Sequence, residues 1–269
     1  MDDLKKLALK LGKNGPVRTL QTPRLIQVLF NGRYIVKTTK SVFVWEHPYY
    51  PQIYIPASEI ESYFSARSDD LKITPGLEIH DSENNLLATQ WTLTVSSKPV
   101  EKVLAFSPNL PEPANSLSNL VKIDFESMDQ WFEESSKIFV HPKDPFKRID
   151  ILQSTRHIRV SIAGHVVADT DTSMHLYETG LPCRYYMPLT RVDASVLRPS
   201  TTVTQCPYKG EAEYYSVEVE GKVYEDVVWF YNRPLLESAK VEGLVCFYNE
   251  KVEIEVDGER LEKNAVMQQ

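Results

Sequence analysis

The stretch that decides the fold is residues 158–167, which read IRVSIAGHVV. It matches residues 26–35, IQVLFNGRYI, at an offset of 132 that places Gly164 on Gly32. In the earlier stretch an Asn-Gly dipeptide separates two apolar runs, which is typical of a β-hairpin. The match therefore predicts that the chain contains two copies of one β-rich unit.

The alignment continues beyond this hairpin. At the same offset Glu178 falls on Glu46 and Tyr186 on Tyr54, while residues 222–230 match residues 98–106 at an offset of 124. A period of this length exceeds the 20 to 50 residues of solenoid repeats, so it predicts a duplicated domain. The first copy is eight residues longer in its middle, where the second copy has the segment CPYKG at 206–210.

The repeat predicts five segments in chain order. We expect an N-terminal helical arm at 1–20, a first domain at 21–140, a connector at 141–155, a second domain at 156–262 and a polar tail at 263–269. In the arm, Leu4, Leu7, Ala8 and Leu11 have helical spacing. Packing of this stripe on its own chain is the favoured interpretation, and the alternative is a homodimer formed through the arm.

Composition excludes some classes of protein. The 269 residues are 42% hydrophobic, and no apolar run approaches the roughly 20 residues that span a bilayer, so we expect no membrane partner. A net charge of −7 argues against nucleic acid as a partner. Cys183, Cys206 and Cys246 are an odd number of cysteines without zinc-site spacing, and the N-terminus has no secretory core. These features predict a reduced, cytoplasmic compartment.

Several motifs resemble one known family. YETGLP at 177–182, CPYKG at 206–210, EDVVW at 225–229 and FYNE at 247–250 are similar to those of tandem members of domain of unknown function 427, which carries a nucleotidyltransferase-like label. The resemblance covers nearly all of the second copy and about half of the first. It implies β-tent folds, in which two small antiparallel sheets meet at an angle over a ligand cage.

We therefore expect an all-β protein of two tandem β-tent-like domains, one degenerate and one intact, with a short N-terminal helix. Some β-tent relatives hold zinc through paired Cys-x-x-Cys motifs, and this chain has none. The sequence therefore predicts neither a metal nor a cofactor. Asp169 and Asp171 form an Asp-x-Asp, but no Gly-Ser helix start precedes them, so we interpret residues 170–173 as a hairpin turn.

The segment CPYKG is the main candidate for chemistry. Tyr208 and Lys209 are predicted catalytic groups beside Cys206, because a turn that ends in Gly210 presents them together. A buried lysine serves as a general base or a Schiff-base nucleophile, and a charged lysine holds an anion. The alternative is a plain turn with a buried cysteine and a solvated lysine. His157 is a third catalytic candidate, because it enters the second domain beside the connector.

The remaining candidates are predicted to bind a ligand, and they include Cys206 and Glu178. If residues 176–178 and 185–187 form neighbouring strands, Arg184 and Tyr186 share one face, and Arg184 either contacts the ligand or forms an ion pair with Glu178. The second copy is also rich in rings, which form either an aromatic cage or ordinary core: Tyr214, Tyr215, Trp229, Tyr231 and Tyr248.

The first functional hypothesis is a cofactor-independent enzyme, a lyase, isomerase, cyclase or hydrolase, acting on a small organic molecule. The alternatives are a module that binds a small ligand or a peptide without chemistry, and a purely structural role.

Overall fold

The computed structural model describes residues 2–262, so the predicted tail at 263–269 lies outside the described residues. The chain forms two compact units that divide between Asp144 and Pro145. None of the helices in residues 2–262 is long and apolar enough to cross a bilayer.

The first unit contains two helices and eleven strands. The helices are α1 (Asp2–Asn14) and α2 (Ala57–Ser65). The strands are β1 (Arg18–Gln21), β2 (Ile26–Phe30), β3 (Arg33–Thr38), β4 (Val42–Trp45), β5 (Gln52–Pro56), β6 (Leu71–His80), β7 (Leu86–Val95), β8 (Lys98–Phe106), β9 (Leu120–Ile123), β10 (Gln130–Glu133) and β11 (Ser136–Ile138).

The second unit repeats this series with eleven strands. They are β12 (Ile149–Ser154), β13 (Ile158–Ile162), β14 (His165–Thr170), β15 (Ser173–Glu178), β16 (Arg184–Pro188), β17 (Leu197–Cys206), β18 (Gly210–Val219), β19 (Lys222–Phe230), β20 (Leu244–Phe247), β21 (Glu253–Val256) and β22 (Glu259–Arg260).

Each unit has one seven-stranded and one four-stranded antiparallel sheet. The seven-stranded sheets have the orders β1-β4-β5-β9-β8-β7-β6 and β12-β15-β16-β20-β19-β18-β17, which are the same order for corresponding strands. The four-stranded sheets are β11-β10-β2-β3 and β14-β13-β21-β22. This matching topology confirms the all-β fold made by tandem duplication, with two sheets in each unit.

The predicted segment boundaries differ from those of the structure. Strand β12 lies within the segment expected to be a connector, and it pairs along its whole length with β15. Strand β1 lies in the predicted arm and pairs with β4. The sheet partners of both short strands lie farther along the chain, so local patterns did not assign them to a sheet. The first strand of each unit is therefore an edge strand that the sequence analysis left wholly or largely outside its domain.

Strand β19 corrects the predicted alignment by one residue. At its start Lys222 pairs with Val219 as Lys98 pairs with Val95, which fits the offset of 124. After the bulge, Trp229 pairs with Cys246 as Leu104 pairs with Lys122, so the offset becomes 125. Since neighbouring residues of a strand point to opposite faces, the correction moves Trp229 to the face occupied by Leu104.

Both faces of each seven-stranded sheet carry buried side chains. In the second unit Tyr185 and Met187 face the core shared with the four-stranded sheet, whereas Tyr186 on the same strand belongs to a separate cluster on the opposite face. In the first unit Phe43 faces the shared core and Val44 the opposite face. We call this second surface the outer face of the sheet.

Helix α1 covers the outer face of the first unit. Leu4, Ala8 and Leu11 are buried there among residues of β4, β5, β7 and β8. The predicted amphipathic helix is therefore present, and its apolar stripe packs on its own chain. The helix approaches the sheet closely, since a Cβ atom on Gly12 would lie 2.7 Å from the Leu87 side chain.

We expect Leu11→Ala to lower the free energy of unfolding by about 2 to 5 kcal/mol, because it removes a fully buried side chain. Leu9→Ala is the matched control: Leu9 lies in the same helix but is exposed, and its loss should cost under about 0.5 kcal/mol. Urea unfolding followed by tryptophan fluorescence measures both. Equal effects of the two substitutions would contradict the assigned packing.

Candidate functional site

A cavity of about 200 Å³ opens on the outer face of the second unit. Its wall includes three of the charged side chains selected from the sequence, Glu178, Arg184 and Lys209. It also includes the four predicted aromatic side chains Tyr186, Tyr214, Trp229 and Tyr231. Tyr248 of the predicted rings also lines the cavity, whereas Tyr215 packs against the core of the second unit. The sequence analysis did not select the other lining residues, Leu176, Leu181 and Pro182.

A row of cross-strand neighbours forms the floor of the cavity. Tyr186 of β16 pairs with Cys246 of β20, Cys246 pairs with Trp229 of β19, and Trp229 pairs with Tyr214 of β18. All four side chains point to the outer face because the four strands are in register. The small thiol of Cys246 is fully buried between two large rings. The aromatic residues thus form a separate cluster on the outer face and are not part of the core shared with the four-stranded sheet.

The rings of this cluster contact each other in defined orientations. The indole nitrogen of Trp229 donates a hydrogen bond to Tyr186 Oη over 3.0 Å, and the two rings are perpendicular. Tyr248 packs against the other side of Trp229 with 4.4 Å between ring centroids. Tyr214 Oη lies 2.7 Å from Thr204 Oγ1. Such edge and face contacts fix the orientation of the rings without a ligand.

Burial raises the pKa of three phenols that line the cavity. It raises the pKa of Tyr186 and of Tyr231 well above the usual value. Burial also raises the pKa of Tyr248, with a further increase from the neighbouring Tyr214. At neutral pH these hydroxyl groups are therefore protonated and can donate hydrogen bonds.

A buried ion pair at the cavity joins Lys209 to Glu178. Lys209 Nζ lies 2.7 Å from Glu178 Oε2, and both residues are only 8% exposed. The other carboxylate oxygen, Oε1, accepts a hydrogen bond from Lys147 Nζ over 3.2 Å. Burial by itself raises the pKa of Glu178, but the charge and hydrogen bond of Lys209, followed by those of Lys147, lower it below the usual value. The carboxylate is therefore ionised at neutral pH.

This ion pair bears on the two roles predicted for Lys209, a base or nucleophile and a charged group that holds an anion. A buried lysine 2.7 Å from an ionised carboxylate interacts most favourably as an ammonium group. The geometry thus favours a lysine that holds or protonates an anion over a neutral amine nucleophile. Lys147 was missed in the sequence analysis because it lies in the predicted connector, far from Glu178 in sequence.

The turn between β17 and β18 positions Lys209. Cys206 pairs with Gly210 across the hairpin, and Gly210 has φ of 97°, which favours glycine. The carbonyl of Lys209 accepts a hydrogen bond from the amide of Leu235 over 3.0 Å. The carbonyl of Tyr208 accepts one from Ser238 Oγ over 3.3 Å. Backbone contacts on both residues therefore hold the turn against the segment 235–238.

Tyr208 and Cys206 lie behind Lys209 and do not line the cavity. Tyr208 is buried, with its ring centroid 5.8 Å from Lys147 Nζ. Cys206 Sγ lies 4.0 Å from Lys209 Nζ. The structure therefore places these two predicted site residues where they support the lysines and not where they touch a ligand in the cavity.

His157 is not brought to the cavity. It precedes β13, a strand of the four-stranded sheet, and its Nε2 lies 2.7 Å from Asp169 Oδ1 on the half-exposed surface. The sequence analysis selected His157 for its proximity to the connector in sequence. The fold instead carries it to the other sheet, so it has no contact through which to act on a ligand in this cavity.

Arg184 forms the second ion pair at the cavity wall. Its two terminal nitrogens lie 2.8 Å from the two oxygens of Glu250, and its guanidinium lies 5.6 Å from the centroid of Trp229. Burial by itself raises the pKa of Glu250, but the hydrogen bonds and the charge of Arg184, together with a backbone hydrogen bond, lower it below the usual value. Of the two predicted alternatives for Arg184, the ion pair with Glu178 is therefore replaced by a bidentate pair with Glu250. The only sequence signal for this partner was the FYNE motif.

The predicted hairpin turn and the Asp-x-Asp lie outside this site. Thr170 ends β14, Ser173 begins β15, and Thr170 Oγ1 bonds with the backbone of Thr172 between them. Asp169 pairs with His157 and Arg159, whose hydrogen bonds lower its pKa. Within the described range, 2–262, no group of three or more His, Cys, Asp or Glu side chains is placed to hold a metal ion.

The first unit keeps part of the same arrangement. Tyr54 Oη donates to Glu46 Oε1 over 3.0 Å, and the buried Lys122 forms an ion pair with the same carboxylate. Lys122 occupies the strand position of Cys246, so the ammonium group comes from the sheet itself. In the first unit, Lys122 and helix α1 lie on the outer face, which is the face that carries the cavity in the second unit.

One family model matches most of the chain. Its description is a domain of unknown function (DUF427), and it matches residues 18–134 and 150–258. The chain belongs to the DUF427 family. The two matches fall in the two structural units, which makes the chain a tandem DUF427 protein. No curated protein matches the chain significantly.

We expect Glu178→Gln to lower the free energy of unfolding of this DUF427 protein at pH 7 by about 3 kcal/mol, because two lysines lose their shared carboxylate. The native pKa of Glu178 is lowered. Its contribution is therefore complete above the unfolded value of about 4.3 and disappears as the pH falls through the native value. The difference between wild type and variant should shrink below about pH 4.

Urea unfolding followed by circular dichroism at several pH values measures this difference. Glu218→Gln is the control, because its partner Arg198 forms a more exposed ion pair that should contribute less than about 1 kcal/mol. A difference between Glu178→Gln and wild type that stays constant down to pH 3 would contradict the assigned ion pair.

Proposed function

We propose that this protein binds one small organic molecule in the cavity of its second unit and converts it by acid–base chemistry without a cofactor. The observation that carries the proposal is the Lys209 ammonium group, held at the cavity wall by Glu178 over 2.7 Å. The net charge of −7 supports a small-molecule ligand over a nucleic acid.

The proposed role of Lys209 is to stabilise negative charge that develops on a substrate oxygen. Enolates and tetrahedral intermediates both carry such an oxyanion, and a preorganised cation beside it typically supplies a large part of catalysis. These intermediates are common to the lyase, isomerase, cyclase and hydrolase reactions that the sequence suggests. The phenols of Tyr186, Tyr231 and Tyr248 remain protonated and supply further donors.

Glu178 is a positioning residue in this scheme. Its pKa is lowered, which makes it a weak proton acceptor. Its carboxylate instead holds the charge and direction of Lys209. Arg184 is fixed by Glu250 in the same way, so the positive charges at the cavity are in place before a substrate enters.

A binding module without chemistry is the second candidate. The observation that favours it is that Lys209 and Arg184 each already have a carboxylate partner. A site built only to capture a ligand needs oriented charges and rings, but it needs no group with a pKa near neutrality.

Lys209→Met tests the first candidate, because it keeps the apolar stem and removes the ammonium group. Purified protein is incubated with a metabolite extract, and the extract and the protein-bound fraction are compared by mass spectrometry. Wild type should consume one component, and Lys209→Met should consume it at least about 100-fold more slowly, the effect of losing one oxyanion donor. Lys222→Met is the control, since Lys222 is exposed at the start of β19.

Equal consumption by wild type and Lys209→Met would contradict the catalytic role. A component that is retained by the protein and recovered unaltered would favour the binding module. If the protein neither consumes nor retains any component, the result would contradict both candidates.

A further inference from the structure

The described ion pairs around the cavity contain more positive than negative side chains. Three cations, Lys147, Lys209 and Arg184, contact two carboxylates, Glu178 and Glu250. Arg184 and Glu250 neutralise each other through two hydrogen bonds. The excess positive charge therefore lies at Glu178, where two ammonium groups share one carboxylate. It is a local excess in a chain whose net charge is −7.

Lys209 retains donor capacity toward the cavity. An ammonium group has three N–H donors. The described contacts of Lys209 Nζ are one hydrogen bond to Glu178 and a 4.0 Å approach to the Cys206 thiol, which is a weak acceptor. Because Lys209 is only 8% exposed and lines the cavity, an anionic group that reaches it would form a charge-assisted hydrogen bond with little competition from water.

The size and lining of the cavity limit the rest of the ligand. An apolar cavity of about 150 Å³ holds benzene, so the volume of about 200 Å³ fits one ring with one or two substituents. The rings of Tyr186, Trp229 and Tyr248 already surround part of this volume in edge and tilted contacts. A flat ring extends such a cluster more favourably than a flexible chain does.

We infer that the cavity takes a single-ring compound with one negative charge, such as a ring carboxylate, whose anionic group binds at Lys209, where the charge of Lys147 on the shared carboxylate adds to the attraction. This inference rests on the proposed function and names the class of molecule for the same cavity. A neutral ligand leaves the excess ammonium charge uncompensated, and a cationic ligand adds to it.

Benzoate, benzamide and benzamidine test the charge preference, because they share one ring and a similar shape but carry negative, zero and positive charge. Binding to the full chain is followed by NMR through the indole N–H signal of Trp229. The chain has four tryptophans, and the signal that disappears in Trp229→Phe is the signal of Trp229. We expect benzoate to bind at least about tenfold more tightly than benzamide, the effect of one charge-assisted hydrogen bond. Benzamidine should not shift this signal.

Variants of the ion pair separate charge from structural damage. Lys147→Met and Lys209→Met should weaken benzoate binding about tenfold or more, whereas Glu178→Gln should tighten it, because it removes the competing carboxylate. Opposite changes at two partners of one ion pair are not expected from simple loss of stability. Lys222→Met, an exposed lysine outside the cavity, should leave all affinities unchanged, and thermal unfolding confirms that each variant is folded.

Three results would overturn the inference. They are equal affinities for benzoate and benzamide, tighter binding of benzamidine, or no response to benzoate up to about 10 mM, a concentration at which a ring of this size binds a matched site. None of them decides the proposed function, whose test is the conversion of a metabolite. Benzoate binding without any metabolite conversion would instead overturn catalysis and leave the ligand class intact.

Discussion

The seven-stranded sheet imposes the main constraint on each unit, because side chains alternate between two faces that are both buried. One face packs with the four-stranded sheet, and the other must be covered in a different way. In the first unit the cover is α1, which buries Leu11 against the sheet. In the second unit the outer face carries large rings, ion pairs and a cavity. The difference between the two units is therefore a difference in how one equivalent surface is filled.

The same constraint explains how two related sites diverged. Glu46 and Glu178 are equivalent, and each has a lysine partner, but the partner comes from the sheet at Lys122 and from a hairpin turn at Lys209. With Cys246 at the strand position of Lys122, the second unit has space between its rings. A turn can bring an ammonium group over this space, whereas a central strand can only fill it. The position of one lysine thus separates a packed surface from an open one.

The sequence was sufficient to predict the duplication, the alternation of Arg184 and Tyr186 on one face, and most of the residues that line the cavity. Local patterns of period two carry this information. The extra residue of β19 was missed, because the ungapped match looks continuous across a bulge. The partners Lys147 and Glu250 were also missed, since Arg184 and Glu250 lie 66 residues apart and only the folded sheet brings them together. His157 was selected only because it lies next to the connector in sequence, but it precedes a strand of the four-stranded sheet and does not line the cavity.

The placement of α1 also affects the order in which the first unit can form during synthesis. The helix leaves the ribosome before the strands that it covers, and these extend to β8, which ends at Phe106. A helix of 13 residues is marginal in water by itself. Its apolar stripe also lacks its full set of partners until about a hundred residues have emerged. The apolar stripe of α1 is thus open to chaperones and to misassembly while the rest of the first unit is being synthesised.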